Sequence, residues 1–311
     1  MSLKAENISF SYIDQKMVFK DISFTLQAGE ILSIVGPSGT GKSSLLKCLA
    51  GLIPLNSGKI YFEDELLPNP RDLLIPGHPE IALVNQLFKL DEYFSVRENI
   101  SNQLHHLNNE DRKEFTNELL EIFELESLSE VKSREISGGE QQRLSMACAL
   151  AKEPKCLFLD EPFVHLDVHL NKKIEDYIRE LAKVRNMSVV LVTHNGVEAL
   201  SWSDRIMVMS NGEIKSNYTP HQAYFKPKNL FEGRFFGELN SVYINKKQVL
   251  FRPNEYTLMA NEKALKIDVS WKNASFKGTY FANYFRLENG KTIVLYADEE
   301  LKKTKEIYVT K

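Results

Sequence analysis

Gly36-Pro37-Ser38-Gly39-Thr40-Gly41-Lys42-Ser43 lies between an apolar run, ILSIVG at 31–36, and SSLLKCLAGL at 43–52, where Leu45, Leu46, Leu49 and Leu52 recur at helical spacing. The eight residues satisfy GxxxxGK[ST], the pattern of a loop that cradles phosphates. Glycine lets the backbone turn its amides toward one anion and approach it closely. The helix that follows adds the positive end of its dipole. In this reading Lys42 reaches the terminal phosphates and the Ser43 hydroxyl ligates Mg2+. Gly51 and then Pro54 stop the helix.

A second anchor is Cys156-Leu-Phe-Leu-Asp160-Glu161-Pro162. An apolar strand that ends in a carboxylate delivers that charge to the C-terminal edge of a sheet, where ligands sit in open α/β folds. Asp160 is expected in the Mg2+ shell. Glu161, one residue on, is expected to orient or deprotonate an attacking water, a group that the glycine loop cannot supply. NKKIEDYIRELAKVRN at 171–186 has amphipathic helix spacing and separates two buried-strand runs, CLFLD at 156–160 and MSVVLVTH at 187–194. That order predicts a βαβ unit and a parallel sheet. Shorter strand-like runs occupy the first 35 residues, and residues 97–130 carry apolar positions at three- and four-residue spacing, as in amphipathic helices.

With these motifs in hand, the chain resembles the ATP-binding subunits of ABC transporters over residues 1 to about 235. The most specific element is Ile136-Ser137-Gly138-Gly139-Glu140-Gln141-Gln142-Arg143, which is similar to the family's LSGGQ signature followed by QQR. A serine and two glycines open a helix there, a second anion site of the same physical kind as the first. The resemblance implies that two copies pair head to tail, so that the P-loop of one copy (Gly36 to Ser43, with Ser44) and the signature of the other (Ser137, Gly138, Gly139, Glu140) clasp one ATP. It further implies that Tyr12 stacks on adenine, that Gln86 senses Mg2+ and the γ-phosphate, that Asp167 lies at the dimer interface and that His194 contacts the γ-phosphate. Ile136 for the usual Leu is a volume-conserving change. Glu140 for the usual Gln adds a charge that a helix's first turn tolerates. Val164 and His165 stand where small residues usually precede the Leu-Asp of the D-loop. His105, His106, His165 and His169 read as solvated positions, not metal ligands.

After residue 235 the pattern changes to short β-like pieces, at 241–245, 248–252, 291–297 and 306–310, separated by Gly, Asn and charged turns. The charge changes with it. From Gly237 onward there are 13 Lys+Arg against 9 Asp+Glu, while residues 1–236 hold 26 against 33. The expected organisation is an α/β P-loop domain at 1–235, a RecA-like sheet core with a helical subdomain at about 87–155, followed by a small all-β domain at 236–311. That tail resembles the OB-like TOBE domain of importers for sugars, polyamines, sulfate, molybdate or ferric iron, through FFGELN at 235–240 and FRPNEYTL at 251–258, and is nearer the polyamine, sulfate and iron branches.

The 311 residues, 43% apolar and 26% charged, suit an ordinary two-domain globular chain and exclude a disordered or collagenous one. Three cysteines without CxxC spacing give neither a disulfide framework nor a zinc module. No apolar run approaches the ~20 residues of a membrane span, and the first ten residues lack a signal-peptide layout. A net charge of −3 argues against bulk binding to nucleic acid. Together with this, the resemblance implies the cytoplasmic ATPase of an importer, peripheral on the inner face of the membrane. It would act as a homodimer with integral permease subunits and, indirectly, a solute-binding protein. Two rival readings remain: a soluble ABC-type ATPase acting on nucleic acid or ribosomes, and a nucleotide-binding regulator that no longer hydrolyses.

Overall fold

The computed structural model describes residues 2–12, 16–85, 90–163, 166–244, 246–260 and 264–310. The chain divides into two compact units, Met1–Pro220 and His221–Lys311. In the first, the order is β1 (Leu3–Phe10), β2 (Phe19–Leu26), β3 (Ile31–Val35), α1 (Lys42–Leu49), β4 (Ser57–Phe62), β5 (Glu65–Leu66) and β6 (Ile81–Val84). Three helices follow, α2 (Val96–Ser101), α3 (Asn109–Ile122) and α4 (Gly138–Ala151). The unit then continues with β7 (Cys156–Asp160), α5 (Val168–Val184), β8 (Ser188–Thr193), α6 (Gly196–Trp202), β9 (Arg205–Ser210) and β10 (Glu213–Tyr218).

Two sheets result. One is antiparallel, ordered β2-β1-β4-β5, and the other has six strands ordered β10-β9-β3-β8-β7-β6. Within the second, β3, β6, β7, β8 and β9 pair in parallel, and β10 closes one edge antiparallel to β9. The expected β7-α5-β8 crossover is present. Continuous apolar strands are explained by burial of both faces. Leu157 and Leu159 of β7, and Val189 and Leu191 of β8, enter the core shared with helices α2 to α5. Phe158, Val190 and Val192, of opposite parity, enter the core shared with α1 and the antiparallel sheet. The two-residue period of a strand thus places one layer on each side.

Local chemistry sets the helix ends. Helix α1 stops at Gly51, which takes φ +67°, with Leu52 N–H donating back to Lys47 O at 2.9 Å. Helix α2 begins with a reciprocal Ser95–Glu98 capping box, and Asn108 caps α3 by accepting from the amides of Glu110 and Asp111. Among the described residues no helix is long and apolar enough to cross a membrane.

In the second unit, α7 (Pro220–Phe225) and α8 (Leu230–Phe235) precede β11 (Asn240–Ile244), β12 (Lys247–Phe251), β13 (Ala264–Asp268), β14 (Ser270–Phe276), β15 (Phe281–Arg286), β16 (Thr292–Ala297) and β17 (Glu306–Thr310). They form three antiparallel sheets, β11-β12, β13-β17 and β14-β15-β16, around one core that includes Val242, Phe251, Ile267, Phe285 and Leu295. Sequence periodicity missed β13, β14 and β15. The division also falls at the start of α7, ahead of the residue-235 boundary expected from the sequence. One tie accounts for that placement of α7 and α8. Arg252 is fully buried, and its guanidinium donates to the carbonyls of Tyr224, Gly233, Gly237 and Glu238 at 2.7 to 3.1 Å. Its flat face lies over the Tyr224 ring, 4.1 Å from the centroid.

Candidate functional site

The glycine loop leaves β3 and enters α1 at the C-terminal edge of the parallel sheet. A Cβ on Gly36 would lie 2.1 Å from Met209 O, so the loop passes too close to β9 for any side chain. Gly41 has φ +95°, and a Cβ there would come within 2.7 Å of Val18 Cγ1. Both positions require glycine. Thr40 Oγ1 donates to Pro37 O at 2.9 Å and braces the loop from inside.

The N-terminus of α1 differs from those of the neighbouring helices. Gly41 supplies no capping side chain and the first turn holds no acidic residue, so the leading amides are open to an anion. Lys42, 5% exposed, folds back so that Nζ donates to Gly36 O at 2.8 Å and Pro37 O at 2.9 Å. Burial pushes the ammonium pKa down, against the pull of the Glu161 and Asp160 charges. These two neutral carbonyls hold a cation in readiness for a charged partner.

Asp160 ends β7 and accepts from Ser43 Oγ on α1 at 3.0 Å. Burial, together with the charge of Glu161, pushes its carboxyl pKa up, while the Ser43 bond pulls it down. A hydroxyl and a carboxylate side by side are hard oxygen donors of the kind Mg2+ takes alongside phosphate and water. Among the described residues no three His, Cys, Asp or Glu side chains gather to hold a metal by themselves. The pair therefore fits a cation that arrives with a nucleotide. Gln86, expected as a further ligand, lies outside the described residues, as do Val164 and His165.

Glu161 has φ +51°, a left-handed backbone costing a non-glycine residue roughly 1–3 kcal/mol. It stands immediately before Pro162, which narrows its choices further. Neighbours hold it there. Its amide donates to Val192 O of β8 at 2.9 Å, and the amide side chain of Gln142 donates to Glu161 O at 3.3 Å and Pro162 O at 2.7 Å. The turn aims the carboxylate at His194, whose Nδ1 lies 3.1 Å from Oε1. Val18, Ser38, Gly39, Gly41, Lys42, Ser43, Ser44 and Glu161 line an open cleft of about 370 Å³. At its Ser44 side the Tyr12 hydroxyl sits 3.1 Å from Ser44 Oγ, with the ring 42% exposed and edge-on to Phe10.

The sequence-expected residues thus fall into two groups. Tyr12, the loop from Gly36 to Ser44, Asp160, Glu161 and His194 are brought together. Ser137, Gly138, Gly139, Glu140 and Asp167 are not: among the described residues, no hydrogen bond or ion pair joins them to this cluster. Ser137 is the N-cap of α4 and exchanges bonds with Glu140. Ser137 N–H donates to Glu140 Oε2 at 2.7 Å, and Glu140 N–H donates to Ser137 Oγ at 3.4 Å. The Ser137 amide holds the Glu140 carboxyl below the usual carboxylate range. Asp167 caps α5, accepting from His169 N at 2.9 Å and Leu170 N at 3.0 Å.

Three residues that follow the signature anchor its helix. Gln141 donates to Ser133 O at 3.0 Å, Gln142 to the Glu161-Pro162 turn, and Arg143 to Phe123 O at 2.7 Å and Glu124 O at 2.9 Å. Sequence reasoning assigned them no role. Nor did it find Glu198, which accepts from Thr193 Oγ1 at 3.0 Å directly beside His194.

Residues 19–164 match the family described as ABC transporter. The chain is 34% identical over 270 residues to the spermidine/putrescine import ATP-binding protein PotA of Pasteurella multocida (strain Pm70), covering 86% of this chain and 70% of that protein. The chain belongs to the ABC transporter ATP-binding proteins. It is also 34% identical over 273 residues to the sulfate/thiosulfate import ATP-binding protein CysA of Pseudomonas syringae pv. tomato, covering 84% of this chain and 81% of that one. Among solved structures, the dimeric post-hydrolysis state of the ATP-binding cassette MJ0796 bound to ADP and Pi is 27% identical. It superposes with a TM-score of 0.62 over 70% of this chain and 98% of the other. The first unit therefore has the P-loop ABC ATPase fold, with the C-terminal strands as an addition. As an ABC ATPase the chain binds ATP, and the cleft beside Lys42 is where its charges and open amides converge.

Proposed function

We propose that this ABC ATPase is the ATP-hydrolysing subunit of an importer and works as a head-to-tail homodimer. The observation that carries the reading is the convergence of Lys42, Ser43–Asp160 and Glu161–His194 on one cleft whose floor is an uncapped helix N-terminus. Lys42 would exchange its two carbonyl partners for β- and γ-phosphate oxygens. Ser43, Asp160 and Gln86 would hold Mg2+, which neutralises phosphate charge when bound. Tyr12 would stack on the adenine.

Hydrolysis needs a base for water, and Glu161 is the carboxylate at the cleft. Water oxygen bonds to the γ-phosphorus, the bond from phosphorus to the ADP oxygen breaks, and the water proton passes to Glu161. His194, within hydrogen-bonding distance of Glu161, holds the carboxylate in place and faces the γ-phosphate. Ser137, Gly138, Gly139 and Glu140 of the second copy would complete the site, with Asp167 at the interface between copies. That no hydrogen bond or ion pair joins them to the chain's own cleft among the described residues supports a role in trans.

Closure on ATP would drive integral permease subunits docked near Gln86 and helices α2 to α4, through the greater affinity of ATP for the closed pair. A solute-binding protein would act only indirectly. The site of work would be the cytoplasmic face of the membrane, and the C-terminal unit would be a TOBE-like domain. The names of the relatives point to the polyamine and sulfate importers as the branch.

A mixing experiment tests the dimer. Lys42→Ala disables the loop and Ser137→Arg the signature, so each variant alone should be inactive. In a head-to-tail pair the mixture contains one intact site and regains ATPase activity. A mixture as inactive as its components contradicts the arrangement.

A further inference from the structure

We propose that Gln142 is a positioning residue for Glu161: its side-chain amide, held on the signature helix, fixes the turn that aims the carboxylate at water. The inference rests on the reading of Glu161 as the base. It adds a residue from outside the cleft.

Gln142 lies in the first turns of α4 and is 6% exposed. A buried primary amide needs partners for both of its N–H groups. Here Nε2 meets Pro162 O at 2.7 Å and Glu161 O at 3.3 Å, two successive carbonyls just beyond the end of β7. Those carbonyls leave the strand where the backbone turns left-handed at Glu161, with φ +51° and a proline next in the chain. Glycine would take that conformation freely and a carboxylate residue does not. The turn is therefore set by what surrounds it. Val192 O secures the Glu161 amide on the β8 side, and Gln142 secures the two carbonyls on the α4 side.

The donor is itself rigid. The Ser137–Glu140 cap closes the helix start, and Gln141 and Arg143, on either side of Gln142, are bonded to Ser133 O and to Phe123 O and Glu124 O. A helix fixed at three points thus presents an amide to the carbonyl side of the turn that Val192 O holds from the other side. The same helix begins with the signature residues.

The test uses the full chain with Gln142→Met, which keeps length and packing and removes the donor, and Gln142→Glu, which sets an acceptor against two carbonyls. Loss of positioning should lower kcat at least about tenfold, with KM and the affinity for a fluorescent ATP analogue changed less than about twofold. Gln142→Glu should fall further. In a Glu161→Gln background, Gln142→Met should cause no additional loss of rate. Unchanged kcat in Gln142→Met overturns the inference. So does a proportional fall of kcat, nucleotide affinity and Tm, which marks a purely structural bond. Wild-type hydrolysis by Glu161→Gln alone would instead defeat the base assignment, an outcome read independently of Gln142.

Discussion

Ser43 and Asp160, 117 residues apart in the chain, meet at 3.0 Å, hydroxyl to carboxylate, where α1 and β7 converge on the cleft. The bond joins the phosphate loop to the acidic strand end, so the two oxygen donors lie side by side. Asp160→Asn keeps the shape and removes the charge. ATP affinity in EDTA should stay within about twofold of wild type, while the gain in affinity on adding Mg2+ falls at least about tenfold. Calorimetric titration with and without Mg2+ checks this, and an undiminished Mg2+ effect would contradict it.

Lys42 is a buried cation whose hydrogen bonds, among the described residues, go to the carbonyls of Gly36 and Pro37. Lys42→Ala relieves its desolvation and should leave Tm without nucleotide unchanged or slightly raised. ATP affinity should fall at least about tenfold, the scale of a lost charge-assisted phosphate contact. Thermal melts with and without ATP separate the two effects.

Glu175, on α5, is 9% exposed, and burial pushes its carboxyl from 4.5 up to about 7. The charge of Glu198 on α6 pushes the same way, as does that of Asp176, while Lys172 and Arg179 oppose. Because the folded chain binds this proton more tightly than the unfolded one, its contribution is intact below about 4.5 and is lost as pH rises through about 7. Glu175→Gln should match wild type at the acid end and exceed its stability at pH 8, by roughly 3 kcal/mol. Urea unfolding at both pH values is the measurement. Equal stability at pH 8 would contradict the assignment.

Glu140 places a carboxylate at the N-terminus of α4, where it accepts from the Ser137 amide. In the proposed head-to-tail pair that charge would face an ATP held by the other copy and oppose its phosphate. Glu140→Gln retains the reach of the side chain and should strengthen ATP-dependent dimerisation in a Glu161→Gln background. The gain should shrink as salt is raised. Sedimentation at two ionic strengths checks it.

The candidate cluster is legible in the sequence because each piece is a short pattern tied to a strand or helix end: the loop at Gly36 to Ser43, Asp160 and Glu161 at the close of CLFLD, and His194 at the close of MSVVLVTH. Their chemistry depends on neighbours along the chain. The Ser137–Glu140 cap was also within reach, since S-x-x-E at a helix start spells a capping box. Gln142 was not, because its partners lie on a different element and only the fold brings them together. The same holds for Thr193–Glu198. In the second unit, β13 was missed because its five residues are few and carry two charges, and the grouping of α7 and α8 with the strands was not legible because the Arg252 tie to their carbonyls leaves no trace in local pattern.

In the proposed mechanism Glu161 takes the proton from water, in a cleft whose nucleotide grip is independent of it. Phosphate release by wild type and Glu161→Gln at saturating ATP and Mg2+, with nucleotide affinity measured on the same samples, tests it most directly. The account predicts a loss of at least about a hundredfold in rate with affinity held within about twofold. Hydrolysis by Glu161→Gln at the wild-type rate would contradict it.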